Sequence, residues 1–346
     1  MNRKPRSRAT LSLTVMTSAL AAALLLPSAS GLPKGSDGLY WDILVQAEAL
    51  SKSALLGIPL KGDPCDTTAN VVARGSIRGL QFDLAVAAGN CLNLTDGEEV
   101  EECMKAAWEE FDEGVEEVLE QLEARRDLCE KLGGGPYAPE IDPEDFVQGI
   151  DNPFLPYVVG YSWTYQKATE DGELEEVVVT VTDMTKEILG VECTVVQDIE
   201  TVDGVVAEDT FDYYAQDKDG NVWYFGELSF GYDEEGELEG LDGSWKAGVD
   251  GAKPGIIMFA NPVLDTTYRQ EFALTEAEDA GTISGLDESV VVPFGAYDGC
   301  RKILDFTPLE PDAMEEKFFA QGVGLVLEVD LETGERVELV DFTSGN

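Results

Sequence analysis

The sequence predicts an α+β protein in which a disulfide-stapled α-helical hairpin precedes a large curved antiparallel β-sheet or a partly open barrel. Three observations lead to this fold class. Apolar residues recur at helical spacing in the first part of the chain. From residue 154 onward, β-branched and aromatic runs alternate with tight-turn pairs such as Asp-Gly. Four of the six cysteines fall at matching positions along the hairpin.

The clearest helical pattern lies between residues 95 and 132. Its apolar stripe advances in steps of three and four, and acidic residues fill the other faces. Thr95 followed by Glu98 predicts a capping box at the start, and the run from Gly133 to Pro136 predicts the end. The stripe consists of Met104, Trp108, Phe111, Val115, Val118, Leu122, Arg125, Cys129 and Leu132.

Two further helices are predicted before it. One runs from about residue 67 to 92, and a short link at 93–97 makes it antiparallel to the long helix. A shorter helix is expected at 40–56. These segments form a predicted acidic helical domain at 31–135, followed by a linker at 136–153.

The remaining residues, 154–346, predict an antiparallel sheet domain. Its turn pairs come too close together for crossover helices between parallel strands. The predicted strands are 162–167, 176–182, 191–201, 205–215, 221–229, 268–274, 289–293, 301–306, 315–319, 325–330 and 336–339.

Residues 1–30 have the pattern of an export signal. Arg3, Lys4, Arg6 and Arg8 precede an uncharged run that ends in small residues, and we expect cleavage after Ser30. A membrane span is the alternative, but the apolar run is short and contains several Ser and Thr residues. The expected location is extracytoplasmic, either periplasmic or secreted, with no membrane insertion after cleavage.

Composition excludes several classes of function. The formal net charge of -46 repels nucleic acid and anionic membrane surfaces. The chain has no His, which excludes Ser-His-Asp triads and the common zinc and haem sites. No cofactor is expected.

The six cysteines predict three disulfide bonds. In an antiparallel hairpin, facing residues have a constant sum of positions, and Cys65 with Cys129 gives the same sum as Cys91 with Cys103. These two bridges would staple both ends of the hairpin. Cys193 and Cys300 remain as a predicted third bridge within the sheet.

Aromatic residues and one loop are the candidate ligand-binding features. Aromatic side chains of the strands could line a cavity on the concave side of the sheet, although such residues are more often core. The stretch 248–262, which lacks strand character, could form a pocket mouth or only a connection. The candidate residues are Trp163, Tyr213, Trp223, Trp245, Asp250, Lys253 and Tyr268.

Two acidic arrangements could carry chemistry, and each also has a simpler interpretation. Asp217, Asp219 and Asn221 resemble the start of a calcium loop, but Val222 and Leu228 break the EF-hand pattern, which favours a hairpin turn. Asp212 and Glu227, on neighbouring predicted strands, could act as acid and base in glycoside hydrolysis. Nothing in the sequence fixes their separation.

Several segments of the second half resemble a group of uncharacterised exported bacterial proteins. They are DNPF (151–154), SWTY (162–165), YYAQDKDGNVWYFGE (213–227), GVDGAKPG (248–255) and GVGLV (322–326). The resemblance implies a C-terminal antiparallel sheet domain and attaches no activity to it. In architecture alone, an exported single sheet with an aromatic interior is similar to periplasmic carriers of the LolA and LppX kind.

These features favour an exported, non-enzymatic binding or structural protein that holds an apolar small molecule or a partner protein on its sheet. Two alternatives remain open. One is a hydrolase that uses carboxylates with an oxygen-bound metal, and the other is an interaction module that acts through the stripe of the helical hairpin.

Overall fold

The computed structural model describes residues 36–168 and 174–345, and side chains are described at 43–167 and 174–345. The predicted export signal at 1–30 lies outside the described residues. Three helices come first, α1 (Ser36–Gly57), α2 (Pro64–Leu92) and α3 (Gly97–Lys131), and a large antiparallel sheet follows. This arrangement confirms the predicted α+β class. None of the described helices has the length and apolar character needed to cross a membrane.

Local sequence determines where the helices of the hairpin begin and end. Asp63 caps α2 by accepting a hydrogen bond from the Asp66 backbone N–H, and Pro64 occupies the first turn. The cap of α3 is Asp96 rather than the predicted Thr95, and its carboxylate accepts from the backbone N–H groups of Glu98 and Glu99. Asp is as good a cap as Thr, so the motif alone could not fix the residue.

Both predicted bridges of the hairpin are confirmed. Cys65 is joined to Cys129, and Cys91 to Cys103, with Cα–Cα distances of 5.6 and 5.5 Å. Both bridges connect α2 to α3, one at each end of the hairpin. The apolar stripe of α3 faces inward, because Met104, Phe111 and Val115 are buried against α1 and α2.

The sheet contains sixteen strands among the described residues. They are β1 (Phe146–Val147), β2 (Ser162–Ala168), β3 (Leu174–Ile188), β4 (Val191–Val202), β5 (Val205–Asp217), β6 (Val222–Tyr232), β7 (Leu238–Gly240), β8 (Trp245–Lys246), β9 (Lys253–Met258), β10 (Thr267–Arg269), β11 (Glu271–Phe272), β12 (Ala280–Val292), β13 (Gly295–Phe306), β14 (Met314–Ala320), β15 (Gly324–Asp330) and β16 (Arg336–Thr343).

The strand order nearly closes this sheet into a barrel. The order is β10-β12-β13-β14-β15-β16-β2-β3-β4-β5-β6-β9-β11, and every pairing is antiparallel. The outermost strands of this path, β10 and β11, follow each other in sequence with only Gln270 between them. The two edges of the sheet therefore meet at this residue.

One predicted loop is partly a strand. The stretch 248–262 contains β9, which pairs with β6 on one side and β11 on the other. Pro254 and Gly255 give this strand the composition of a loop, and only its position between two partners shows its role.

The predicted bridge between Cys193 and Cys300 was wrong. Both thiols are free and fully buried. Cys193 lies on β4 and Cys300 on β13, and the strand order places five strands between them along the wall. A disulfide needs Cα atoms within ~7 Å, whereas neighbouring strands are already ~4.8 Å apart.

The helices lie against the barrel at the rim formed by the β11–β12 and β13–β14 connections. Arg125 of α3 pairs with Glu278, and the Gln121 side chain donates to the carbonyl oxygen of Leu309 at 3.0 Å. Lys131 adds a contact over the ring of Phe306, 4.6 Å from its centroid.

Candidate functional site

A cavity of about 240 Å³ lies inside the barrel. Its walls come from six strands, β2, β3, β4, β5, β15 and β16, so the side chains that line it mark the inner face of the sheet. We call the enclosed space the lumen. The lining residues are Tyr165, Glu175, Val177, Val179, Asp198, Glu200, Glu208, Leu325, Glu328 and Val337.

Register extends this inner face across β4, β5 and β6, because directly opposed residues in paired strands share a face. Glu200 is opposite Glu208, and Asp198 is opposite Thr210. In the next row, Asp212 is opposite Glu227, which is itself opposite Trp245 of β8. Carboxylates therefore occupy successive rows of this wall.

The opposite wall of the barrel, formed by β10, β12, β13 and β14, also carries acidic side chains. Tyr268, Gly281, Asp305 and Glu315 form one row across β10, β12, β13 and β14. Lys317 is opposite Glu328 in the adjacent row. The lumen is thus acidic on both sides.

Lys317 is the cation at the centre of this wall. Its Nζ lies 3.2 Å from Asp305, 3.3 Å from Glu315 and 3.5 Å from Glu328. Burial opposes its charge, yet Glu328, Asp305 and Glu315 raise the pKa of Lys317 well above its ordinary value. At the rim, Lys167 pairs with Glu175 and Glu335 at 3.2 and 3.3 Å.

Tyr224 bridges two of the carboxylates. Its hydroxyl lies 2.5 Å from Asp212 Oδ1 and 2.8 Å from Glu227 Oε2. A phenol donates one proton, so one of the two carboxyls must be protonated for both contacts to be hydrogen bonds. Burial raises the pKa of Glu227 to about 7; the hydrogen bond from Tyr224 lowers it, and neighbouring carboxylates raise it further. Burial also raises the pKa of Asp212 well above its ordinary value.

Other carboxyls of the barrel are similarly perturbed. Burial raises the pKa of Asp198 to about 7, and the charges of Glu208 and Glu200 add to the shift. Burial, followed by repulsion from Asp279, raises the pKa of Glu271 well above its usual value. Burial is the main cause of these raised pKa values, and mutual repulsion between the carboxylates adds to it.

One end of the barrel is closed by aromatic side chains. The Trp163 indole donates to the carbonyl oxygen of Val323 at 2.7 Å and stacks on Phe342 at a centroid distance of 5.3 Å. Tyr157 packs edge-on against Trp163 and tilted against Tyr214. This end of the barrel is therefore filled rather than open.

Two buried polar groups of the inner face have no partner within the described part of the chain. They are the indole Nε1 of Trp245 and the hydroxyl of Tyr268, and the two residues are 6% and 7% exposed. Trp245 packs edge-on against Tyr224 at 5.5 Å. Both residues belong to rows that carry carboxylates, but neither is among the residues that line the cavity.

Asp305, Glu315 and Glu328 converge on Lys317, and the other carboxylates are spread around the lumen. No group of three or more Cys, Asp or Glu side chains within residues 36–168 and 174–345 is placed to hold a metal ion.

The predicted aromatic candidates are divided between the two faces of the sheet. Trp163, Trp245 and Tyr268 lie on the inner face. Tyr213 lies on the outer face with Val195, and the Trp223 indole donates to Asp217 at 2.8 Å beside Phe146. The sequence could not separate the two sets, because a bulge between Tyr224 and Glu227 shifts the alternation in β6.

The two loop candidates lie elsewhere. Asp250 occupies a tight turn with a φ of 49° and is exposed. Lys253 donates from Nζ to the carbonyl oxygen of Tyr137, at the junction with the helices. Neither residue lines the lumen.

The predicted hairpin turn at Asp217–Asn221 is confirmed between β5 and β6. The Asp217 carboxylate accepts from both nitrogens of Asn221 and from the Trp223 indole, each at 2.8 Å. The hydrogen bonds of this carboxylate therefore stabilise the turn. The alternation of oxygen-bearing residues in the sequence does not show this role.

The sequence identifies Asp212 and Glu227 as neighbours on this wall, but not the carboxylates that line the cavity itself. Asp198 and Glu200 alternate with Gln197 and Ile199, a pattern that an antiparallel sheet shows when its acidic face meets solvent. Only closure of the sheet turns that face inward. One sequence signal for an inward-facing position was available: Val196 alternates in step with Asp198 and Glu200, and it is fully buried.

No protein-family model matches the chain. No curated protein matches it. A search of solved structures finds the crystal structure of a "putative lipoprotein" from Parabacteroides distasonis ATCC 8503, with 14% identity and a TM-score of 0.33, covering 56% of this chain and 99% of that one. A likeness of this size carries no argument about fold or function.

Proposed function

We propose that the protein is an extracytoplasmic, non-enzymatic binding protein whose barrel holds an organic cation in its lumen. The observation that carries the proposal is the imbalance of charge inside the barrel. Asp198, Glu200, Glu208 and Glu328 line the cavity, whereas the cationic side chains on its described inner face are Lys317, Lys167 and Arg301. Arg301 donates to the backbone carbonyl oxygens of Phe259 and Ala260 and is not among the cavity-lining residues.

The charge imbalance favours a cation for a physical reason. Carboxylates that lie close together and are partly shielded from water repel each other, and a proton or a positive charge relieves this repulsion. A ligand with amino or ammonium groups supplies that charge and displaces the stored protons.

An apolar ligand was expected from the sequence. The aromatic residues behind that expectation either fill the closed end of the barrel, as Trp163 does, or lie outside it, as Trp223 does. The acidic lining of the remaining cavity favours a charged ligand instead.

The export signal proposed for residues 1–30 would bring the chain to the periplasm or the exterior. Disulfide bonds persist in such oxidising compartments and are rare in the cytosol, and α2 and α3 are joined by two of them. The disulfides therefore support an extracytoplasmic location.

The geometry gives less support to the two alternative functions. In the Asp212–Glu227 pair, the Tyr224 hydroxyl fills the gap between the carboxylates where a scissile bond would have to lie. The apolar stripe of α3, which was considered as an interaction surface, is buried within the helices themselves.

The test is calorimetric titration of the chain from residue 31 with putrescine at pH 8, against 1,4-butanediol, which has the same length without charge. We expect binding of the diamine alone. Asp198→Asn combined with Glu328→Gln should weaken it by at least about tenfold, because each lost carboxylate removes a charge-assisted hydrogen bond.

Two control variants separate the lumen from the acidic surface. Glu116→Gln removes a carboxylate from the exposed face of α3 and should leave the affinity unchanged. Lys317→Met removes the central cation and should tighten binding. Equal weakening by Glu116→Gln and the lumen variants would show general attraction to an acidic chain and refute the lumen site. Preference for butanediol over putrescine would favour an uncharged ligand instead.

A further inference from the structure

A second cavity, of about 250 Å³, lies between the helical hairpin and the barrel. The start of α2, the end of α3, the segment around Tyr137 and the β10–β11 edge of the sheet enclose it. It shares none of its lining residues with the lumen, and its charge has the opposite sign.

Arg269 is the central residue of this cavity. It is 6% exposed, and its Nε and Nη1 have no hydrogen-bond partner anywhere in residues 36–168 or 174–345. Its Nη2 reaches only the Cys65 sulfur at 4.0 Å, a weak contact. Burial lowers the pKa of Arg269, which reflects the cost of enclosing this charge.

Aromatic rings compensate for only part of that cost. The guanidinium lies 4.9 Å from the centroid of Phe272 and 5.8 Å from that of Tyr137. Such contacts engage the flat face of the group and leave the donors in its plane free. A chain of net charge -46 contains many carboxylates, yet none forms an ion pair with Arg269 among the described residues.

Two other cations line the same cavity. Arg125, which is 3% exposed, uses Nε and Nη2 to bind Glu278, but its Nη1 lacks a partner within the described residues. Lys253 donates to the Tyr137 carbonyl oxygen. Three positive side chains therefore face the cavity with one carboxylate, Glu278, to balance them.

We propose that this cavity binds a small organic anion, whose carboxylate is held by the free donors of Arg269 and Arg125. The remaining walls are largely apolar and include Phe272, Leu274 and Leu132. A carboxylate attached to an aromatic or short aliphatic body satisfies the donors and fills this apolar space.

The experiment uses the chain from residue 31 with its disulfides intact, and benzoate as the probe. Isothermal titration should detect benzoate binding and no binding of benzamide, the neutral molecule of the same shape. Arg269→Met should weaken benzoate binding by at least about tenfold. Arg336→Met, which removes an exposed arginine of β16 paired with Glu338, should leave it unchanged.

A second readout separates binding from a structural role. Removing an unpaired buried charge should raise the melting temperature of the ligand-free Arg269→Met variant, and benzoate should no longer raise it further. A lower melting temperature for this variant would show that Arg269 stabilises the fold and would overturn the site. Binding of inorganic phosphate as tight as that of benzoate would overturn the organic class of ligand.

Discussion

Arg125 of α3 and Glu278 of the barrel form a buried, two-pronged ion pair. Arg125 Nε lies 2.9 Å from Glu278 Oε2, and Nη2 lies 2.7 Å from Oε1. The two side chains are 4% and 1% exposed. Glu278 Oε1 also accepts from the Thr275 backbone N–H, so the pair fixes both the rim of the barrel and the hairpin that lies on it.

Breaking this pair should release the hairpin from the barrel. Glu278→Gln leaves Arg125 charged and buried, which we expect to cost about 3–5 kcal/mol of unfolding free energy. Urea unfolding followed by tryptophan fluorescence measures the change. Glu109→Gln, in the exposed pair with Lys105 on the same helix, should shift stability by less than about 0.5 kcal/mol. Similar effects of the two substitutions would contradict the assigned role.

The two disulfides should differ in their contribution to stability. Cys65–Cys129 closes 64 residues and Cys91–Cys103 closes 12. Chain entropy then gives about 4 kcal/mol for the long loop and about 3 kcal/mol for the short one. Paired Cys→Ser variants compared by helical circular dichroism in urea test this order, and a larger loss from the 12-residue loop would reverse it.

Closure of the barrel depends on the absence of a side chain at Gly255. A Cβ there would lie 2.4 Å from the carbonyl carbon and oxygen of Gln270, the residue where the sheet edges meet. Gly255→Ala should cost about 1–3 kcal/mol through overpacking, and more if the edges separate. Gly231→Ala, in β6 with open space around it, is the matched control. Equal thermal stability of the two variants would show that barrel closure does not require glycine at position 255.

Acidic pH should stabilise the ligand-free protein. Asp198 and Glu227 have pKa values of about 7 in the fold, above the ordinary 3.8 and 4.5. Between about pH 5 and 7 the folded protein therefore holds protons that the unfolded chain has released, so unfolding free energy falls as pH rises through this window. Melting temperatures from pH 5 to 8 should show this slope.

The variant Asp198→Asn with Glu227→Gln provides the control for the pH effect. It keeps the hydrogen-bonding shape and removes the two titrations, so the slope between pH 5 and 7 should flatten. An unchanged slope would assign the effect to repulsion over the whole acidic surface.

The two free cysteines should be unreactive in the folded protein. Burial raises the pKa of Cys193 to about 12 and also raises that of Cys300, and neither sulfur is exposed to solvent. A thiol reagent at pH 8 should find no reactive group before unfolding and two afterward. If no thiol reacts in urea, Cys193 and Cys300 are joined by a disulfide bond after all.

Local patterns were enough to predict the hairpin. Periodicity located the helices, and the matching sums of cysteine positions fixed the pairing, because both depend only on spacing along the chain. Gly220, with a φ of 88°, marks a turn that the Asp-Gly pair had predicted between β5 and β6. The bulge between Tyr224 and Glu227 and the strand role of Pro254 depend on neighbouring strands, so the sequence did not show them.

The sequence by itself determined the two-part α+β organisation, the pairing of four cysteines and the exclusion of His-based chemistry. Tertiary structure decided which face of the sheet is inside. An acidic strand face is equally compatible with solvent or with a lumen, and closure at Gln270 selects the lumen for Asp198 and Glu200. It also decided that Arg269 is buried without a carboxylate, since the groups around it come from segments far apart in the chain.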